Sequence, residues 1–259
     1  MAFPQKLSWS LYRCIRGTVR LCYPKMKAEG LENLPEEPVI IVGNHCQMHG
    51  PIAAELYGPG EHYTWCAGQM MHREDVAEYA FQDFWSQKPR HTLWFYRGLS
   101  HLIAPLSVLI FNQANTIGVY HDSRILSTFK KTIAKLQNGA NVIIFPEYAQ
   151  DYNRILCCFQ EKFVDVAKLY YRRTGKELAF VPLYIAPDLK KMVYGKPVRF
   201  RADAPMEEER ERICRYLMEE ITRMAVSLPE HRVVPYRNVS RKEYPTNLVK
   251  EDLCGKASD

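Results

Sequence analysis

The chain has 259 residues, 47% of them hydrophobic and 25% charged, which is the balance of an ordinary globular protein with a sizeable core. The formal net charge of +6 favours anionic partners, yet acidic and basic residues are interspersed and no basic block resembles a nucleic-acid arm, so no nucleic-acid partner is expected. The eight cysteines stand at irregular spacings without a C-x-x-C pair, and nothing at the N-terminus reads as a cleavable signal. They are expected to be reduced thiols in the cytoplasm, which makes the sequon Asn238-Val239-Ser240 a chance match.

In chain order, Lys6 to Tyr23 place Leu7, Leu11, Cys14/Ile15, Thr18/Val19 and Cys22 at helical spacing, with Arg13, Arg16 and Arg20 on a second stripe. Residues 1–24 therefore read as a basic amphipathic helix, suited either to an anionic membrane surface or to packing on the domain. Residues 25–228 read as one α/β domain, without linker, repeat or low-complexity run. Short apolar runs at Val39 to Val42, Tyr63 to Ala67, Thr116 to Tyr120, Val142 to Phe145 and Ala179 to Ile185 predict strands. Helical patterns at Ile125 to Leu136, Phe159 to Tyr171 and Glu207 to Ser227 separate or follow them. The fold class is thus an α/β three-layer sandwich with a mainly parallel central sheet flanked by helices.

No run of roughly 18 apolar residues is present, so a conventional transmembrane helix is not expected; Leu102 to Phe111, interrupted by Pro105 and Ser107, reads as a buried or interfacial helix. The rings of Phe81 to Tyr96, among them Phe84, Trp85, Trp94 and Phe95, suit an interfacial patch, a lid or core packing. Residues 229–259, with three prolines, read as an extended or partly disordered tail.

Asn44-His45 and Phe145-Pro146-Glu147 each follow a predicted strand, at the end of a parallel sheet where ligands gather. An imidazole placed there can reach solvent and accept a proton from a hydroxyl. His45 and His49 are four residues apart, as metal ligands on one helical face would be. The intervening Cys46-Gln47-Met48 and the following Gly50-Pro51 make poor helix and no third ligand motif appears, so no metal is expected.

With these motifs goes a third, Ile117-Gly118-Val119-Tyr120-His121-Asp122-Ser123-Arg124, and a fourth, Phe180-Val181-Pro182-Leu183. In this order and spacing they resemble the glycerolipid acyltransferase family of the lysophosphatidic acid type, over roughly residues 25 to 200. The resemblance implies a peripheral or monotopic enzyme on the cytoplasmic membrane face. It would move a fatty acyl group from acyl-CoA or acyl carrier protein, the donor substrate, to a lysophospholipid or related lipid acceptor, with no cofactor. His45 would be the general base, Glu147 would orient the acceptor, and Arg124 or His121 would meet an acceptor phosphate. Asn44, Phe145, Pro146 and Pro182 would shape the substrate site.

Two departures stand out. Gly50 occupies the position, five residues after His45, where the family has an aspartate that orients the imidazole. Substitutes for it are His49, Glu55, Asp122 and Asp151, with Glu55 and Asp151 preferred. Tyr148-Ala149-Gln150 replaces Gly-Thr-Arg/Ser, which points to an acceptor other than plain lysophosphatidate, with Arg154 as a compensating cation. The alternative reading is a non-catalytic lipid- or acyl-CoA-binding relative of the same fold.

Overall fold

The computed structural model describes residues 5–86 and 88–248. The first four residues of the amphipathic segment and the last eleven of the tail lie outside the described residues, as does the side chain of Phe84. In chain order the elements are α1 (Gln5–Cys22), β1 (Lys27–Glu29), β2 (Ile40–Gly43), α2 (His49–Tyr57), β3 (His62–Ala67), α3 (Val76–Ala80), α4 (Leu93–Gln113), β4 (Thr116–Val119), α5 (Ile125–Gln137), β5 (Asn141–Ile144), β6 (Glu147–Asp151), β7 (Cys157–Phe159), α6 (Asp165–Thr174), β8 (Ala179–Ala186), β9 (Lys191–Tyr194), β10 (Val198–Arg199) and α7 (Met206–Ser227).

The main sheet runs β1-β9-β8-β2-β5-β3-β4, with β10 also pairing β8. The five strands from β8 to β4 are mutually parallel, while β9 and β10 run antiparallel to β8. The two central strands explain why the sequence shows continuous apolar runs rather than alternation. Ile40 and Val42 of β2, with Phe180 of β8, pack against Ile133 of α5, Val166 of α6 and Leu217 of α7. Ile41 and Val181 face the other way, onto Ala53 and Ala54 of α2. Both faces of the sheet are covered, giving three layers, and trimming one of these central residues to alanine costs about 2–5 kcal/mol.

Local signals account for most boundaries. Helix α5 ends at Asn138, and Gly139 takes the left-handed conformation (φ 91°) that a helix stop requires. The helix expected at Phe159 to Tyr171 starts later. Phe159 belongs to β7, opposite Glu147 in the β6–β7 ribbon, and a 3-10 turn at Glu161–Val164 leads into α6. Phe159, Phe163 and Val166 fall three and four residues apart, so the ribbon residue continued the helical apolar stripe.

One expectation needs correction. Helix α4 runs unbroken through Pro105, and with the turn before it forms a helical stretch, residues 90–113, long and apolar enough to cross a membrane by length and composition. Counting only uninterrupted apolar runs concealed it. Little of α4 is buried: Ser100 and Ala104 turn inward, whereas Trp94, Phe95, Leu102 and Leu106 are exposed. Residues 229–248 run without strand or helix apart from a 3-10 turn at Arg241–Glu243, and they lie against the domain. Val233 and Val234 are buried, Arg232 bridges Thr246, and the buried Asn247 amide accepts from His231 N (2.9 Å) and donates to Ala225 O (2.8 Å). Helix α1 packs with Tyr12 inward and leaves Leu7, Trp9 and Leu21 exposed.

Candidate functional site

Asn44 and His45 leave the C-terminal end of β2, between β5 and β8. Buried Asn44 continues the β8 pairing with its side chain, its Oδ1 accepting from Ile185 N (2.7 Å) and its Nδ2 donating to Ile185 O (3.1 Å). The next residues turn sharply. Cys46 (φ 49°) and Gln47 (φ 55°) are both left-handed although neither is glycine, a conformation that costs about 1–2 kcal/mol per residue. Their curl lets Gly50 N donate to His45 O (3.0 Å) and His49 N to Cys46 O (3.0 Å).

The same turn brings the Gln47 carbonyl onto Nδ1 of the His45 ring. A carbonyl oxygen only accepts, so Nδ1 carries the proton and Nε2 is the nitrogen with the basic lone pair. The ring also meets Phe145 edge-on at 5.6 Å and Tyr236 at 5.7 Å. Gly50 sits where the turn is tightest. A Cβ added there would lie 2.5 Å from His45 O and 2.9 Å from Asn44 O, so this turn admits no side chain at that position.

The resemblance gives Glu147 the task of orienting the acceptor. Its carboxylate instead holds main chain: Oε2 accepts from His45 N (2.5 Å) and Oε1 from Cys157 N (2.9 Å). Burial pushes this carboxyl up to about 7, against the opposing pull of the two N–H donors. Strand β5 delivers Glu147 to this position through Phe145-Pro146, and Pro146 O anchors the turn by accepting from Gln160 N (2.9 Å). Glu147 is therefore a buried clamp between the His45 loop and β7.

The proposed substitute carboxylates turn elsewhere. Glu55 accepts from Tyr12 Oη (2.6 Å) and Arg16 Nε (2.8 Å), stapling α1 to α2. Asp151 pairs with Arg237 (3.4 Å), and Asp122 with Arg124. His49 Nδ1 bonds Tyr23 Oη (3.2 Å), and burial plus the nearby Arg241 hold its pKa below the usual imidazole value. Arg124, exposed with His121, grips Asp122 with two nitrogens and stacks on the Tyr120 ring. Tyr148 donates to Gln150 (2.9 Å), Arg154 donates to Leu248 O (3.2 Å), and Pro182 packs beside Gly195, near Glu220 and Met224 of α7, in the layer opposite α2. Among the described residues no group of three or more His, Cys, Asp or Glu side chains is arranged to hold a metal ion.

His45 lines a cavity of about 1090 Å³ that runs between the sheet and helices α1, α2 and α4. Its walls include Ile15 and Val19 of α1, Ile52 and Leu56 of α2, and Ile110 and Phe111 of α4, with Glu55 also lining it. Three cations face it: Arg16, Lys88 and Arg237. Of the expected site residues, only His45 and Glu55 line this space. Sequence reasoning missed Gln47, Tyr236 and Arg237. The first acts through its main chain, and the others reach the site from a segment read as tail.

No protein-family model matches the chain, and no curated protein matches it either. Among solved structures, the chain is similar to the crystal structure of the 1-acyl-sn-glycerophosphate (LPA) acyltransferase PlsC from Thermotoga maritima. The identity is 16% and the TM-score 0.44, over 85% of this chain and 79% of that one. A likeness of this size assigns no residue a role.

Proposed function

We propose that this protein transfers a fatty acyl group from a thioester donor, acyl-CoA or acyl carrier protein, to a lipid-like hydroxyl at a membrane surface, with His45 as general base. The observation that carries the reading is one imidazole, its Nδ1 proton held by a main-chain carbonyl, lining a largely apolar cavity large enough for an acyl chain. In this mechanism Nε2 takes the proton of the acceptor hydroxyl as its oxygen attacks the thioester carbonyl. The C–S bond then breaks, the thiolate leaves with the proton from the imidazolium, and the products are an ester and a free thiol. No covalent acyl-enzyme is required.

Arg237, exposed in the cavity wall, suits an anionic acceptor group better than Arg124, which lies outside that wall. The exposed Trp94, Phe95, Leu102 and Leu106 of α4, with Trp9 and Leu21 of α1, form the apolar part of a membrane-docking surface in this reading. Arg13 and Arg20, both exposed on α1, supply charge for anionic headgroups.

Thiol release from acyl-CoA and acyl carrier protein donors, measured against a panel of lysolipids and amino-lipids, tests the activity and the acceptor class together. Release that depends on one acceptor supports the proposal. Tight acyl-CoA binding without release, under any acceptor, would favour the non-catalytic binder.

A further inference from the structure

We infer that the C-terminal segment 236–244 is the positioning element for the His45 imidazole, acting through Gln47 in place of the aspartate that Gly50 excludes. The inference rests on the reading of His45 as base. Gln47 is held at both ends of its side-chain amide: Nε2 donates to Arg237 O (3.0 Å), and Oε1 accepts from Tyr244 Oη (3.2 Å). Its main-chain carbonyl holds Nδ1 of His45. Arg237 is itself tied to the β6 ribbon, donating to Ala149 O (2.9 Å), and Tyr236 presses edge-on against the His45 ring.

A left-handed glutamine relaxes unless its surroundings hold it, and the contacts that hold Gln47 come from the far end of the chain. The consequence is chemical as well as structural. An imidazole whose Nδ1–H is fixed presents Nε2 in one orientation, whereas a released turn lets the ring rotate and the proton move between nitrogens. Gln47 and Tyr244 are therefore positioning residues for a base they do not themselves replace.

The test uses the full-length chain labelled with ¹⁵N-histidine and compares the wild type with Gln47→Met, which keeps the length and removes both amide bonds, and with Tyr244→Phe. The wild type is expected to show His45 with its proton on Nδ1, and both variants a mixture of tautomers with the thermal midpoint little changed. With a long-chain acyl-CoA and a lysophospholipid, kcat should fall by roughly ten- to a hundredfold while KM changes less than about twofold. Tyr244→Phe added to Gln47→Met should cost nothing further, because both break one clamp. A wild-type proton on Nε2, or variants with unchanged tautomer and unchanged kcat, would overturn the inference. Tautomer shifts in a protein that turns over no thioester would uphold the positioning role and remove the acyltransferase reading.

Discussion

The carboxylate of Glu147 binds the main-chain N–H of His45 at 2.5 Å, so the second motif fixes the backbone from which the first motif's imidazole projects. Replacing Glu147 with alanine leaves two buried N–H groups, those of His45 and Cys157, without an acceptor. The expected loss is about 2–5 kcal/mol of stability, read as a lower denaturation midpoint. Glu147→Gln keeps one acceptor and sets an NH2 against the other donor, so it should lose less than alanine. Equal midpoints for wild type and alanine would show that the clamp is idle.

The same carboxyl sets a pH dependence. Its pKa is raised from 4.5 to about 7, so between these values the folded chain holds a proton that the unfolded chain has released. The Glu147 contribution is fully present below about pH 4.5 and is lost as pH rises towards 7, by up to about 3 kcal/mol. Urea midpoints of wild type should fall across this window relative to those of Glu147→Gln. Parallel profiles would contradict the assignment.

The turn should not accept an aspartate at position 50. At Gly50 a new Cβ meets the His45 and Asn44 carbonyls, both main-chain atoms that cannot swing aside, so Gly50→Asp and Gly50→Ala are each expected to destabilise by about 1–3 kcal/mol or more. Denaturation of the two variants checks this. A stable Gly50→Asp protein with faster thiol release would mean that the turn relaxes into another geometry.

Much of the fold could be read in the sequence because β2 and β8 are buried on both faces, and that burial leaves uninterrupted apolar runs that survive without any alignment. That His45 and Glu147 come to the same end of the sheet was also legible, since both follow parallel strands; that the carboxylate meets the main chain and not the ring was not. What stayed hidden has physical reasons. The partner of Nδ1 is a carbonyl, which every residue carries, and the left-handed turn at Cys46-Gln47 lacks the glycines that usually announce one. Val233-Val234 is too short a run to mark a packed segment, although it anchors the stretch that brings Tyr236 to the ring.

Vesicle co-sedimentation tests the docking surface. Trp94→Ala with Leu102→Ser should weaken binding at all ionic strengths, because buried apolar area is insensitive to salt. Arg13→Glu with Arg20→Glu should weaken it mainly at low salt, where exposed charges are poorly screened. Unchanged binding in both pairs would place the membrane contact elsewhere.

In the proposed reaction His45 removes the acceptor proton. Thiol release by purified His45→Ala, set beside wild type under the donor and acceptor that the wild type uses, measures it directly. A fall of about a hundredfold or more in kcat is expected, with an unaltered denaturation midpoint and retained vesicle binding. Release at the wild-type rate from a folded His45→Ala protein would contradict it.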